Sequence, residues 1–146
     1  MAIIDKSQNK WYTNDRDENV SIGLRIPLVL DNGELASTKT TIEAVKQNIL
    51  NLCSTELGER VMQPNLGLRL KRFLFEPFSE DIVTQVQNTV LESINYWLPF
   101  VLLRDVKVRM SESTAGDLNS TMLISVIFSL RKDPNTHESV QIIVGE

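Results

Sequence analysis

The sequence predicts an α+β fold, in which two main helices pack on an antiparallel C-terminal β-meander. An extended arm or edge strand precedes them at the N-terminus. Apolar residues recur at helical spacing in two central segments, and after Pro99 the period changes to two. Polar turns separate the alternating stretches. The 146 residues suit a single domain spanning 1–146. Within it we expect a flexible arm over 1–20, a core over 21–98 and C-terminal strands over 99–146.

Composition excludes several classes of function. A formal charge of -4 and a pI near 5.1 argue against nucleic-acid binding by general electrostatics. One cysteine, Cys53, cannot form an intramolecular disulfide, which favours a reducing compartment. No apolar run has the length of a signal-peptide core or a transmembrane helix. We therefore expect a soluble protein that folds in a cytoplasm and contacts neither membrane nor nucleic acid.

The N-terminal arm is polar, with Trp11 and Tyr12 as exceptions. These two aromatic residues either cover a local core edge or anchor a partner. The following segment alternates with the period of a half-buried strand. Pro27 cannot donate to a ladder, so the segment is an edge strand or an extended arm, and Asn32-Gly33 predicts a turn after it. The alternating apolar residues are Ile22, Leu24, Ile26 and Leu28.

The first helix is predicted over Thr41–Leu57. Thr40 can cap it, and Glu43 completes a capping box. Gly58 fits the position just past the helix end, which favours a left-handed residue. The buried stripe should contain Ile42, Val45, Ile49, Leu52 and Cys53.

The second helix is predicted to begin at Ser79, an N-cap residue followed by two acidic residues near the positive end of the helix dipole. Pro99 ends it, because the residue before proline disfavours the helical region. Its buried face should contain Ile82, Val83, Val86, Val90, Leu91 and Ile94. The aromatic residues at its end, Tyr96, Trp97 and Phe100, are expected in the core.

Three strands and two polar turns should complete the chain. We expect strands over 101–110, 120–130 and 140–146, with turns over 111–119 (containing Gly116) and 131–139. The inward-facing residues are Val106, Val108 and Met110 in the first strand and Met122, Ile124, Val126, Phe128 and Leu130 in the second.

Catalytic groups are sparse. His137 is the single histidine and lies in a predicted turn, so we expect it to be exposed and inert. Cys53 lies on an apolar stripe and should act as a small hydrophobe. The sequence contains no nucleotide-binding motif, and we expect no metal or cofactor. Glycoside hydrolysis needs two carboxylates across a sugar, for which Glu59 and Glu76 are the nominees.

Those two carboxylates have weak support as catalysts. Glu56 or Asp81 would have to serve as a partner, and arginines and lysines lie nearby in the sequence. Ion pairing would lower a carboxyl pKa and favour a structural role. We therefore expect the protein not to be an enzyme.

The segment Gly58–Pro77 combines turn residues, charges and apolar side chains. Pro64, Asn65 and Gly67 are typical of turns. We expect the charged residues Glu59, Arg60 and Glu76 to tie down backbone, while the apolar residues enter the core. The same composition also suits a surface that docks on charged helices of another protein. The apolar set is Leu66, Leu68, Leu70, Phe73, Leu74 and Phe75.

The stretches "LVLDNGELAST" and "TIEAVKQNILNLCSTELGERVMQPNLGLRLKRFLFEP" resemble the baseplate wedge family of contractile phage tails. This family was long labelled lysozyme-like and includes the tail sheath initiator. The similarity covers about Ile22–Leu98, and the ordered run of GER, a PxxG turn and FEP carries it.

The resemblance implies structural work where baseplate wedges, the tail tube and the first sheath ring meet. The family's Glu-Pro-Arg loop docks on the helical core bundle of the wedge. Here Glu76 and Pro77 match, while Phe78 replaces the basic residue, so apolar contact or the nearby Arg72 takes over its role. The docking or core-bracing residues would be Glu59, Arg60, Pro64, Gly67, Phe75, Glu76 and Pro77.

The resemblance also assigns a role to the terminal strand. Sheath subunits in these tails join by exchanging strands, and an unpaired edge can template an incoming strand. The implied pairing residues are Val140, Gln141, Ile142, Ile143 and Val144; without the resemblance they would simply form a closing edge strand. The implied partners are wedge, tail tube or hub, and first-ring sheath proteins. Several copies would share a symmetric, hexameric baseplate of a virion assembled in the host bacterial cytoplasm.

Two alternatives stay open at this point. A peptidoglycan hydrolase would use Glu59 or Glu76. An intracellular regulator is the other alternative, because a bacterial stress anti-adaptor has a similar fold.

Overall fold

The computed structural model describes residues 19–77, 79–111 and 121–145. Most of the predicted arm with Trp11 and Tyr12, Phe78, the turn around Gly116, and Glu146 lie outside the described residues. The elements are β1 (Gly23–Leu24), β2 (Leu30–Asp31), β3 (Glu34–Leu35), β4 (Ser37–Thr38), α1 (Thr41–Ser54), a 3₁₀ helix (Leu70–Phe75), α2 (Glu80–Trp97), β5 (Val101–Ser111), β6 (Thr121–Leu130) and β7 (Asp133–Val144). The predicted α+β class is confirmed.

The chain divides into two compact units, residues 1–48 and 49–146. The single domain predicted for 1–146 stays a prediction. In the described part of the chain, no helix is both long and apolar enough to cross a membrane.

The described part of the first unit contains an irregular hairpin. β1 pairs antiparallel with β4, and β2 pairs antiparallel with β3. Its tip is the predicted Asn32-Gly33 turn, where φ is 50° and 86°. The strand predicted from the alternation over Ile22–Leu28 is reduced to the two residues of β1. Pro27 has no N–H, and the N–H of Ile26 donates to Gln47 Oε1 at 2.9 Å instead of to a neighbouring strand.

α1 begins with a shifted form of the predicted capping box. The N–H of Glu43 donates to Thr40 Oγ1 at 3.4 Å, while the Glu43 carboxylate accepts from the N–H of Lys39, one residue before the cap. Two donors at the helix start are thus satisfied. The stripe Val45, Ile49, Leu52 and Cys53 is buried as predicted, whereas Ile42 is partly exposed.

α1 ends at Ser54, three residues before the predicted end. The hydroxyls of Ser54 and Thr55 donate to the carbonyls of Leu50 and Asn51 at 2.8 and 2.6 Å. Such bonds compete with continuation of the helix. Gly58 has the predicted positive φ of 89°, but it lies in the loop after the helix rather than at its end.

α2 matches its predicted limits. Ser79 Oγ accepts from the N–H of Ile82 at 3.3 Å, and the helix ends at Trp97 before Pro99. Its fully buried face is narrower than predicted, because Val83 is half-buried and Leu91 is 42% exposed. The buried residues recur every four positions, as Ile82, Val86, Val90 and Ile94.

The prediction of an aromatic core at the end of α2 is wrong. Tyr96 is 76% exposed and Phe100 is also exposed, while Trp97 is half-buried. Tyr96 follows Ile94 by two residues, which turns it to the opposite side of the helix. The rings of Tyr96 and Trp97 meet edge to face, with centroids 5.1 Å apart.

β5, β6 and β7 form an antiparallel sheet in that order. α2 packs against β5, and Gln87 Nε2 donates to the carbonyl of Val106 at 2.7 Å. The predicted inward face of β6 is confirmed, with Met122, Ile124, Val126, Phe128 and Leu130 all buried. Val106 of β5 is also buried, and Val108 and Met110 are half-buried.

β7 is the largest departure from the sequence prediction. It runs for 12 residues, so most of the polar turn predicted over 131–139 is strand, and only Arg131-Lys132 separates β6 from β7. Pro134 lies in this edge strand where the register between β6 and β7 shifts, between Phe128 and Leu130. A proline is tolerated at such an irregularity because its missing N–H is not needed in the ladder. His137 consequently lies in β7 and is exposed.

Candidate functional site

The loop over 56–68 is closed by its own backbone. At its base the N–H of Leu68 donates to the carbonyl of Thr55 at 2.9 Å, and Glu56 and Leu68 form a parallel bridge. Inside the loop, the N–H of Gly58 donates to the carbonyl of Pro64 at 2.8 Å. Two further turns follow, in which the N–H of Gln63 donates to the carbonyl of Arg60 and the N–H of Leu66 donates to the carbonyl of Gln63. A compact loop with joined ends holds a fixed shape without a helix or strand.

Two charged side chains hold this loop in place. Glu59 Oε2 accepts from the N–H of Glu56 at 2.9 Å. Arg60 Nη2 donates to Asn51 Oδ1, near the end of α1, at 2.8 Å. Both side chains are exposed, so Arg60 braces the loop from the surface and not from within the core.

Gly67 is required at the base of the loop. Its φ is 117°, and an added Cβ would lie 2.4 Å from the carbonyl oxygen of Thr55. No side chain fits there unless the backbone moves. Pro64 is exposed, and its carbonyl accepts the hydrogen bond from the N–H of Gly58.

The predicted segment divides into a buried part and an exposed part. Leu68, Leu70 and Phe73 are buried, and the guanidinium of Arg72 lies 4.5 Å from the Phe73 ring centroid. By contrast, Phe75 is 89% exposed, contrary to the expectation that it enters the core. Glu76 and Pro77 are exposed beside it.

The tip of the 56–68 loop carries two apolar side chains that sequence reasoning missed. Val61 and Met62 are each 92% exposed. The signal in the sequence was an apolar pair between Arg60 and Gln63 that belongs to no helical or strand period. Asn51 was also missed, although its side chain and carbonyl both accept bonds at the end of α1.

The five predicted strand-pairing residues all lie in β7. Val140, Ile142 and Val144 point into the core, while Gln141 and Ile143 are exposed on the other face. Their register against β6 runs without interruption from Val126↔Val140 to Met122↔Val144. Within the described residues β7 pairs with β6 alone, so its second edge is open.

The nominated catalytic groups are not brought together as a pair in a cleft. Glu59 is bonded to the loop backbone, while Glu76 and Asp81 lie on the surface. Burial raises the pKa of the Cys53 thiol to about 12, which keeps it protonated at neutral pH. The described parts of the chain contain no cluster of His, Cys, Asp and Glu suited to a metal ion.

Comparison with protein families gives one matching model, described as Baseplate wedge protein gp25, which matches residues 39–135. No curated protein matches the chain significantly.

Three solved structures share the fold. A crystal structure from Geobacter sulfurreducens, whose protein bears the provisional name tail lysozyme, has 23% identity and a TM-score of 0.62, covering 74% of this chain and 93% of that one. A chain of the anti-feeding prophage baseplate, solved by cryo-EM with 6-fold symmetry, has 26% identity and a TM-score of 0.60, covering 74% and 83%. A chain of the type VI secretion system baseplate complex has 15% identity and a TM-score of 0.54, covering 71% and 92%.

Proposed function

The chain belongs to the baseplate wedge protein gp25 family, and we propose that it docks on the wedge core bundle and starts the tail sheath by strand exchange. As a family member it is a baseplate wedge component of contractile injection systems. The proposal adds which surfaces it uses and what each surface does.

The open edge of β7 carries the sheath part of the proposal. An edge strand presents unpaired N–H and C=O groups that an incoming strand can bind. Its inward side chains Val140, Ile142 and Val144 are buried, which fixes the strand on the sheet. An incoming strand would therefore meet an ordered template, and little conformational entropy would be lost on the side of this protein.

The 56–68 loop and the end of the 3₁₀ helix with the residues after it carry the docking part. Val61, Met62 and Phe75 expose apolar surface to water, and burying them against a partner is favourable. The loop is already held by Glu59, Arg60 and the Gly67 turn, so docking need not order it. Glu76 and Pro77 extend the same proposed surface.

The proposed partners are wedge proteins with a helical core bundle, tail tube or hub proteins, and the first ring of sheath protein. The 6-fold symmetry of the anti-feeding prophage baseplate supports several copies in a hexameric particle. We place the protein in the tail baseplate, assembled in the host bacterial cytoplasm, without a cofactor.

We also propose that the protein is not an enzyme, although the Geobacter sulfurreducens neighbour is named a lysozyme. The carboxylate of Glu59 is used by the loop, and Glu76 is exposed to water. A general acid in glycoside hydrolysis lies in an apolar pocket, which an exposed side chain lacks.

An assembly assay with wedge proteins and sheath subunits of the same contractile system tests both surfaces. Val61→Asp/Met62→Asp should abolish joining to the wedge, whereas Tyr96→Asp, which charges another exposed apolar site, should not. For the sheath surface, Ile143→Pro and Val144→Pro are made in parallel, because adjacent strand residues direct their N–H groups to opposite edges. The variant that keeps the wild-type unfolding temperature has lost an outward N–H, and it should join wedges without starting sheath.

Three results would contradict the proposal. Normal sheath growth on the folded proline variant would exclude exchange at β7. Unchanged wedge binding by the loop variant would exclude that docking surface. Clearing of peptidoglycan that disappears in Glu59→Gln or Glu76→Gln would make the protein a hydrolase.

A further inference from the structure

A shallow depression lies beside the 56–68 loop, within the unit of residues 49–146. Leu57 and Leu68 provide its apolar lining, and Arg69 and Arg72 provide its cations. On its α2 side lie two small polar residues, Thr89 and Ser93.

This depression is locally basic in an acidic protein. The formal charge of the chain is -4, yet Arg69, Lys71 and Arg72 fall within four positions and all are exposed. None of the three forms an ion pair with a carboxylate in the described part of the chain. The charged group of Arg72 makes a cation–π contact with the Phe73 ring. The cations are therefore available to anionic groups of a partner.

The shape of the depression favours a helix as the occupant. Thr89 and Ser93 are one helical turn apart on α2, so two small side chains border the depression along that helix. A surface bordered by small side chains can accept the side-chain ridge of a second helix. A strand would need an open backbone edge, whereas the backbone of α2 is bonded within the helix.

We propose that this depression binds an acidic amphipathic helix of a baseplate partner. An apolar side chain of that helix fills the space between Leu57 and Leu68. Its carboxylates pair with Arg69 and Arg72, whose planar guanidinium groups can hold a carboxylate through two hydrogen bonds. The proposal rests on the proposed docking function, and it adds the charge and secondary structure of the partner segment.

The test uses the full-length protein and three labelled helical peptides of about 20 residues. They share one leucine face, and their flanking positions carry Glu, Lys or Gln. Fluorescence anisotropy should show binding of the Glu peptide, weaker binding as salt rises, and no binding of the Lys peptide.

Variants assign that binding to the depression. Arg69→Glu/Arg72→Glu should weaken binding of the Glu peptide by about tenfold or more. The control Lys107→Glu/Arg109→Glu makes the same charge change on β5 and should have little effect. Ser93→Trp fills the depression without changing charge and should also abolish binding, with circular dichroism confirming that each variant is folded.

Several results would overturn the inference. Equal binding of the three peptides, no binding of the Glu peptide, or equal losses in the two double charge variants would each do so. Binding of a single-stranded oligonucleotide that depends on Arg69 and Arg72 would assign the site to nucleic acid instead. The peptide assay contains no other baseplate protein, so these failures are distinct from a failure of the wedge and sheath assays.

Discussion

The N-terminal hairpin and the C-terminal sheet begin from similar sequence patterns and reach different structures. Apolar residues occupy every second position in both Ile22–Leu28 and Met122–Leu130. The second segment is a strand of 10 residues with one face buried. The first contributes a strand of two residues, Gly23–Leu24.

The difference arises because a helix covers one face of the sheet. The sheet packs against α2, so its alternating side chains leave water and fix its register. In the hairpin Ile22 and Ile26 are partly buried, but five other large apolar residues stay about half exposed or more: Leu24, Leu28, Val29, Leu30 and Leu35. An alternating apolar pattern is thus compatible with a strand, but only burial of the apolar face stabilises a long one. A two-stranded hairpin without such cover is marginal in water.

The largest expected difference in unfolding free energy is between alanine substitutions at Phe128 in the sheet and Leu30 in the hairpin. Phe128→Ala removes a fully buried ring from β6 and should lower the free energy of unfolding by about 3–5 kcal/mol. Leu30→Ala shortens a side chain that is 69% exposed and should change it by less than about 0.5 kcal/mol. Urea denaturation followed by circular dichroism measures both. Comparable losses would mean that the hairpin has as firm a core as the sheet.

A smaller contrast is expected between two glycines with positive φ. Gly67→Ala would bring a Cβ within 2.4 Å of a backbone oxygen and should cost about 2–4 kcal/mol. Gly33→Ala meets nothing within 4 Å at the hairpin tip, so only the backbone strain remains, about 1 kcal/mol. Thermal unfolding of the two variants provides the comparison. A Gly33 variant that loses more than the Gly67 variant would contradict the assigned close approach.

The remaining effect appears only at alkaline pH and concerns Cys53 on α1, in the same unit as the sheet. Burial raises its pKa from 9.0 to about 12, so the folded state keeps a proton that the unfolded state releases. This contribution is fully present below pH 9.0 and is lost as pH rises toward about 12.

Cys53→Val removes the titrating thiol while keeping an apolar side chain. Unfolding free energies of both proteins, measured from pH 7 to pH 11, should decline more steeply for the wild type above pH 9. Parallel declines would show that the thiol is not protected from water in the folded state.

Part of the fold was predictable because its signals are local. Ser79 and Pro99 set the limits of α2 through a hydrogen bond and a backbone restriction, each acting within a few residues. The length of β7 was not predictable in this way. Pro134 normally argues against a strand, and only its edge position in the sheet removes the conflict.

The candidate site was predictable to a similar extent. Pro64 and Gly67 indicated a turn, and both lie in the 56–68 loop, whose backbone turns are hydrogen-bonded. The exposure of Val61, Met62 and Phe75 was not predictable, because apolar residues on their own indicate burial.

The sequence by itself determined the α+β class, both helix starts, the hairpin turn and the inward face of β6. Each depends on contacts or dihedral preferences between residues close in the chain. The tertiary structure alone decided where α1 ends, how far β1 and β7 extend, and which apolar residues stay in water. These outcomes depend on pairing between distant segments, such as Thr55 with Leu68 and β6 with β7, whose free energy exists only after the chain has folded.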